Sequence, residues 1–193
     1  MSASRKPNHE LVITTRSPEE TKLLSEGIAP LLVPGDVLVL AGDLGAGKTT
    51  FVQGLAKGLG IVERVTSPTF ILMKEYQGGR FPLMHLDVYR LERIQEVIDL
   101  GLDEYLDPSY VVAVEWGDKV EPLLPRQHLK VELNHGGADT RTVTLTARGT
   151  HWETRMETIK KLVQELSDVR LSKKARLGED YQPDNPGGSG SNN

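Results

Sequence analysis

Cysteine is absent from the 193 residues. That removes disulfides, thiolate zinc sites, cysteine nucleophiles and iron–sulfur clusters, and leaves oxygen and imidazole as the ligands for any metal. Positive charge has no surplus: 23 Lys and Arg stand against 27 Asp and Glu, a formal charge of −4. Such a balance favours solubility and supplies no general basic footprint for nucleic acid. No apolar run approaches the roughly 20 residues a membrane helix requires. Met1 to Lys6 lead into polar residues rather than a signal-peptide core, so the expectation is a cytoplasmic protein without membrane contact. No repeat of 20 to 50 residues is visible, which argues against a solenoid or propeller.

What is present, 38% hydrophobic and 26% charged side chains, is the profile of a soluble globular chain. Folding at this length hides roughly 70% of the unfolded surface, enough for one sizeable core. We expect a mobile N-terminus over 1–10, one domain over 11–170 and a disordered tail over 171–193, where Pro183 to Ser191 has nothing to bury.

Leu11 to Thr15 is strand-like, and Ser17-Pro18-Glu19-Glu20 predicts a capped helix starting near Pro18. Asp36 to Ala41 is a short, nearly unbroken apolar run, as for a strand buried on both faces of a parallel sheet. A glycine turn follows, then a helix from Lys48 with Phe51, Val52, Leu55, Ala56 and Leu59 on one face, ended by Gly58 and Gly60. Phe70 to Tyr76 and Phe81 to Val88 read as a hairpin, Leu91 to Tyr105 as helical or mixed, and Tyr110 to Val114 as another buried strand. His128 to Leu133 and Arg141 to Thr146 form a strand pair, and Trp152, Met156, Ile159, Val163 and Leu166 a closing amphipathic helix.

Gly42-Asp43-Leu44-Gly45-Ala46-Gly47-Lys48-Thr49 fits G-x-x-x-x-G-K-[ST], between a strand and a helix as that motif needs. Glycines let successive N–H groups curl toward phosphate oxygens, and the positive end of the helix adds to the attraction. Lys48 would reach the β- and γ-phosphates, the Thr49 hydroxyl would ligate Mg²⁺, and Thr50 would meet the α-phosphate.

A phosphate loop needs a carboxylate from a neighbouring strand and commonly a group that positions water. Asp87 and Glu115 each end an apolar strand, where ligands gather in open parallel sheets. Either they serve the metal and the water, or they cap the following helix. Likewise, the hydroxyls of Thr66-Ser67-Pro68-Thr69 either sense a γ-phosphate, as a switch loop does, or form an ordinary Ser-Pro turn. Trp116, after Glu115, is by default packed core.

Together, Gly42 to Thr50, Ser67-Pro68-Thr69-Phe70, His85-Leu86-Asp87-Val88-Tyr89-Arg90 and Val114-Glu115-Trp116 resemble the bacterial TsaE family, formerly YjeE. The resemblance runs from about Thr15 to Leu145. It implies an α/β fold: a single P-loop NTPase-like domain with a mixed, mostly parallel sheet flanked by helices. It also implies an ATPase using ATP and Mg²⁺ that supports threonylcarbamoyladenosine modification of tRNA with TsaD and TsaB, meeting tRNA only through that complex. By the same resemblance Lys48 holds phosphates, Thr49 and Glu115 serve Mg²⁺, Asp87 acts near the γ-phosphate, Thr69 belongs to a switch-like loop and Trp116 to the site edge. The segment from Ser17 falls near the base region.

A small-molecule kinase is the first rival, although no arginine-rich insertion supplies its lid; a GTPase lacks an N-K-x-D segment. A clamp that binds ATP without hydrolysing it also remains. Arg64, Arg80, Arg90 and Arg93 are the available finger candidates, and Arg170, Lys173, Lys174 and Arg176 either touch tRNA or form a solvated face.

Overall fold

The computed structural model describes residues 9–91, 94–99, 101 and 106–179. Seven strands form one mixed sheet in the order β1-β7-β6-β2-β5-β4-β3. They are β1 (Glu10–Thr15), β2 (Val37–Ala41), β3 (Met73–Tyr76), β4 (Leu83–Asp87), β5 (Val111–Glu115), β6 (His128–His135) and β7 (Arg141–Arg148). The central four, β6, β2, β5 and β4, run parallel, whereas β7, β1 and β3 are antiparallel wings. Strands β2, β4 and β5 are buried at every position, as expected for strands covered on both faces.

Helices α1 (Pro18–Ile28), α2 (Lys48–Gly58) and α4 (Thr150–Glu179) are joined by α3 (Ile94–Asp99). α1 begins as the sequence predicts: the Ser17 hydroxyl accepts from Glu20 N, while Glu20 Oε2 accepts from Arg16 N. Alternation along the strands divides the core in two. Leu38, Leu40, Leu83, Val111 and Ala113 face a cluster with Phe51, Leu55, Trp152, Met156 and Ile159 from α2 and α4. Val37, Val39, Met84, Leu86, Val112 and Val114 face the other side, closed by Val120 and Leu124. Burying each such aliphatic side chain contributes roughly 1.5–3 kcal/mol.

α1 and α2 cross so closely that a Cβ on Gly54 would lie 1.9 Å from Ser25 Oγ and 2.3 Å from the Lys22 carbonyl. A Cβ on Gly58 would meet Ala29 at 2.5 Å. Gly58 thus serves helix contact, whereas Gly60, at φ +85°, makes the left-handed exit expected of a terminator.

Three expectations shift. The strand expected from Phe70 begins only at Met73, because Ile71 N closes a turn onto Pro68 O and Leu72 takes φ +65°. Phe70 and Ile71 therefore face solvent despite their β propensity. β6 and β7 are longer than expected, since each continues the other's pairing from His128↔Arg148 to His135↔Arg141. α4 runs to Glu179, past the boundary drawn at 170, and β1 begins at Glu10. Residues 1–8 and 180–193 lie outside the described residues, as do 92–93, 100 and 102–105 of the Leu91 to Tyr105 segment. Among the described residues no helix is long and apolar enough to cross a membrane.

Candidate functional site

Parallel pairing sets Glu115 beside Leu40 on one side and Asp87 on the other. The carboxyl ends of β2, β4 and β5 therefore meet at one edge of the sheet, and the turn after β2 wraps over them. A Cβ on Gly42 would stand 2.1 Å from the Leu133 carbonyl, and φ there is +130°, so this corner demands glycine. Gly47, also left-handed, offers α2 no side-chain cap. The first-turn amides of α2 have no intrahelical acceptor, and Gly47, Lys48, Thr49 and Thr50 line the cleft. The cleft measures about 400 Å³ and is lined by Leu44, Gly45, Gly47, Lys48, Thr49, Thr50, Ser67, Thr69, Asp87, Tyr89, Glu115 and Trp116.

Lys48 is folded back on its own loop. Its ammonium donates to Gly42 O at 2.6 Å and Asp43 O at 2.8 Å, and lies 3.6 Å from the centroid of the Trp116 ring. Desolvation lowers its pKa from the ordinary value, opposed in part by the charges of Glu115, Asp87, Asp118 and Asp43.

Both predicted carboxylates are buried. Glu115 Oε1 accepts from Thr49 Oγ1 at 2.8 Å and meets His85 Nε2 at 2.8 Å. Asp87 Oδ2 accepts from Ser67 at 2.8 Å and from Thr69 at 2.5 Å, while Oδ1 accepts from Tyr89 N at 3.0 Å. The two hydroxyls are 2.6 Å apart, so two protons serve three contacts in an oxygen-rich corner. The capping alternative for Asp87 is realised only as the single Tyr89 contact, and the Ser-Pro turn and the hydroxyl cluster are the same segment.

Trp116 is not sealed in the core. Its φ of +60° turns it out of β5 against Tyr89, with ring centroids 4.9 Å apart and the planes tilted by 42°. Of the loop positions expected to bind, Gly42, Asp43 and Ala46 do not line the cleft. The first two give their carbonyls to Lys48; Ala46 is fully buried and its N–H bonds Asp43 O.

Sequence reasoning gave no role to His85 or Arg141, and placed Ser67 only among the hydroxyls of a candidate switch loop. His85 lies two residues before Asp87 on the same face of β4, a signal that period-two alternation offers. Ser67 joins Thr69 on Asp87. Arg141 of β7 braces the loop from behind, donating to Ala46 O at 3.0 Å and Gly45 O at 3.3 Å while tying down Ala138 O and Thr140 O. Nothing local in the sequence marks it, because the contact spans the sheet. Of the finger candidates, Arg80 is committed to the carbonyls of Ala29, Pro30 and Leu32, and Arg90 lies over the exposed Phe70 ring. Arg64 is exposed and Arg93 lies outside the described residues.

A family model described as "Threonylcarbamoyl adenosine biosynthesis protein TsaE" matches residues 15–143. The chain belongs to the TsaE family. The TsaE protein of Bacillus subtilis is 50% identical over 139 residues, 72% of this chain and 87% of that protein. The TsaE protein of a Nostoc species is 46% identical over 132 residues, 66% and 80% of the two chains. A crystal structure of Bacillus subtilis YdiB superposes with a TM-score of 0.69 at 43% identity, covering 79% of this chain and 95% of that one. The TsaE match takes in the whole cleft, from the end of β1 to Arg141 and Val143 of β7, and leaves α4 outside it.

Proposed function

We propose that this TsaE family member binds ATP with Mg²⁺ in the cleft and hydrolyses it, slowly when alone. In this reading it supports threonylcarbamoyladenosine modification of tRNA in the cytoplasm with TsaD and TsaB, reaching tRNA only through them. The observation that carries the reading is the meeting of two chemistries in one cleft of about 400 Å³. The start of α2, which has no side-chain cap, and Lys48 line it together with Thr49, Glu115 and Asp87.

The donor set suits a hard cation. Hydroxyl and carboxylate oxygens are what Mg²⁺ takes, and it typically keeps only one or two protein carboxylates beside substrate phosphates. Among the described residues no cluster of three His, Cys, Asp or Glu side chains could hold a metal ion. When bound, the cation would neutralise charge that develops on the phosphates. Thr49 and Glu115 would hold it. Lys48 would exchange Gly42 O and Asp43 O for phosphate oxygens, and the amides of Gly47 to Thr50 would orient the chain of phosphates. Asp87 would then accept a proton from, or orient, the attacking water.

One observation favours slow turnover or the clamp reading over an efficient kinase. Asp87 already accepts from Ser67, Thr69 and Tyr89 N, which leaves one acceptor site on Oδ1 for water unless the 67–69 segment releases Oδ2. A partner that shifts this segment would accelerate hydrolysis, and trans-acting groups reach about 10³-fold or more. The test is phosphate release from ATP with and without TsaD and TsaB. Slow release alone and faster release together are expected; equal rates refute the partnership. Release that depends on a small-molecule acceptor would favour the kinase.

A further inference from the structure

We infer that His85 is a positioning residue for hydrolysis: it donates Nε2–H to Glu115 and keeps that carboxylate on Thr49. The inference rests on the Mg·ATP reading of the cleft.

His85 is fully buried on β4, 2.8 Å from Glu115 Oε1. Its other nitrogen, Nδ1, has no hydrogen-bond partner among the described residues. A proton there would be a buried N–H without an acceptor, the more expensive way to leave an imidazole unsatisfied. The ring proton therefore belongs on Nε2, aimed at the carboxylate. Thr49 sends its hydroxyl proton to the same oxygen, at 2.8 Å, so the lone pairs of Thr49 Oγ1 stay free for a cation. Two donors from different elements, β4 and α2, thus fix one oxygen of Glu115.

Without His85 the carboxylate would pivot on a single flexible hydroxyl, and a rival is near. Lys48 shares the cleft and feels the charge of Glu115 first among its acidic neighbours. A Glu115 that swung to Lys48 would remove an oxygen from the cation and a cation from the phosphates. Partners that orient metal-binding groups in this way typically matter by about 10- to 100-fold in affinity or activity.

The experiment uses the full chain and its His85→Gln and His85→Leu variants. Glutamine places an N–H near the position of Nε2; leucine fills the space without one. Long-range ¹H–¹⁵N spectroscopy of the wild type without nucleotide should show the Nε2–H tautomer; an Nδ1–H ring overturns the inference. Calorimetric ATP titrations with Mg²⁺ and with EDTA should show that His85→Leu loses about 10- to 100-fold of the affinity that Mg²⁺ adds, with EDTA affinity unchanged. Its kcat should fall with KM for Mg·ATP rising, and His85→Gln should recover both to within about threefold. A folded His85→Leu with the full Mg²⁺ gain, or a folded His85→Gln as impaired as leucine, overturns the inference. If leucine does not fold, glutamine and the tautomer decide. A wild type with the Nε2–H tautomer that binds no ATP overturns the nucleotide reading and any role in hydrolysis; a wrong tautomer in a chain that does bind ATP overturns only the role of His85.

Discussion

Two poles of the sheet each bury carboxylates, and they do so in opposite ways. At the amino end of β2, Asp36 is gripped by Val33 N at 2.8 Å, His151 at 3.1 Å and Arg155 at 2.5 Å. A backbone amide and two bases leave it nothing to exchange, and the result is a rivet between the sheet and α4. At the carboxyl end, Asp87 and Glu115 are held by hydroxyls, one imidazole and one amide, with Lys48 close by but bonded elsewhere. Neutral hydroxyls can change partners cheaply, whereas a desolvated ion pair cannot be opened without exposing a buried charge. The larger groove, about 620 Å³, lies at the riveted pole and the smaller at the exchangeable one. On the proposed function, chemistry belongs to the exchangeable partners rather than to the larger volume.

The sharpest way to test that contrast is Asp87→Asn, expected to slow phosphate release by about 10²- to 10⁴-fold, the range for a lost proton-transfer group. ATP affinity should change little, and a variant with wild-type turnover would remove Asp87 from the reaction. Next in size, Lys48→Ala should weaken ATP binding by about 10²-fold through loss of charge-assisted contacts. Unchanged affinity by titration calorimetry would take Lys48 out of the site. At the riveted pole, Arg155→Met should destabilise by about 2 kcal/mol and lower the melting temperature by about 4–8 °C. ATP affinity should hold; a tenfold loss would mean that the poles are coupled.

The smallest effect concerns protons. Folding lowers the pKa of Lys48 from 10.5 through desolvation. Between that lowered value and 10.5 the unfolded chain binds more protons, so this group's contribution to stability improves as pH rises through the window. Phosphate oxygens favour the charged amine and should restore the proton. ATP binding at a pH inside that window is therefore expected to take up a fraction of a proton, read from calorimetry in buffers of different ionisation enthalpy. No uptake, or release, would place the phosphates away from Lys48.

Much of this was legible from residue order. The loop from Gly42 to Thr50, its flanking strand and helix, and the two terminal acids lie where the motif and the apolar runs put them, because these are local patterns with fixed periods. What escaped depends on distant contacts. Phe70 to Leu72 has the composition of a strand, yet the turn onto Pro68 and the needs of Asp87 pull it out of the ladder. Trp116 reads as core until its left-handed backbone is known. His85 is half legible, since alternation puts it on the face of Asp87, but its bond to Glu115 depends on the pairing of β4 with β5.

Arg141 ties the rear of the glycine turn to a strand that lies two places from β2 in the sheet and pairs antiparallel to its neighbours. The curvature of the cradle is thus inherited from a wing that contributes no side chain to the cleft lining. One guanidinium bonds both the tip at Ala138 and Thr140 and the turn at Gly45 and Ala46, so a shift at the tip should pass to the turn. Sequence drift in that distant hairpin should therefore register as altered grip on the ligand, with the motif itself untouched.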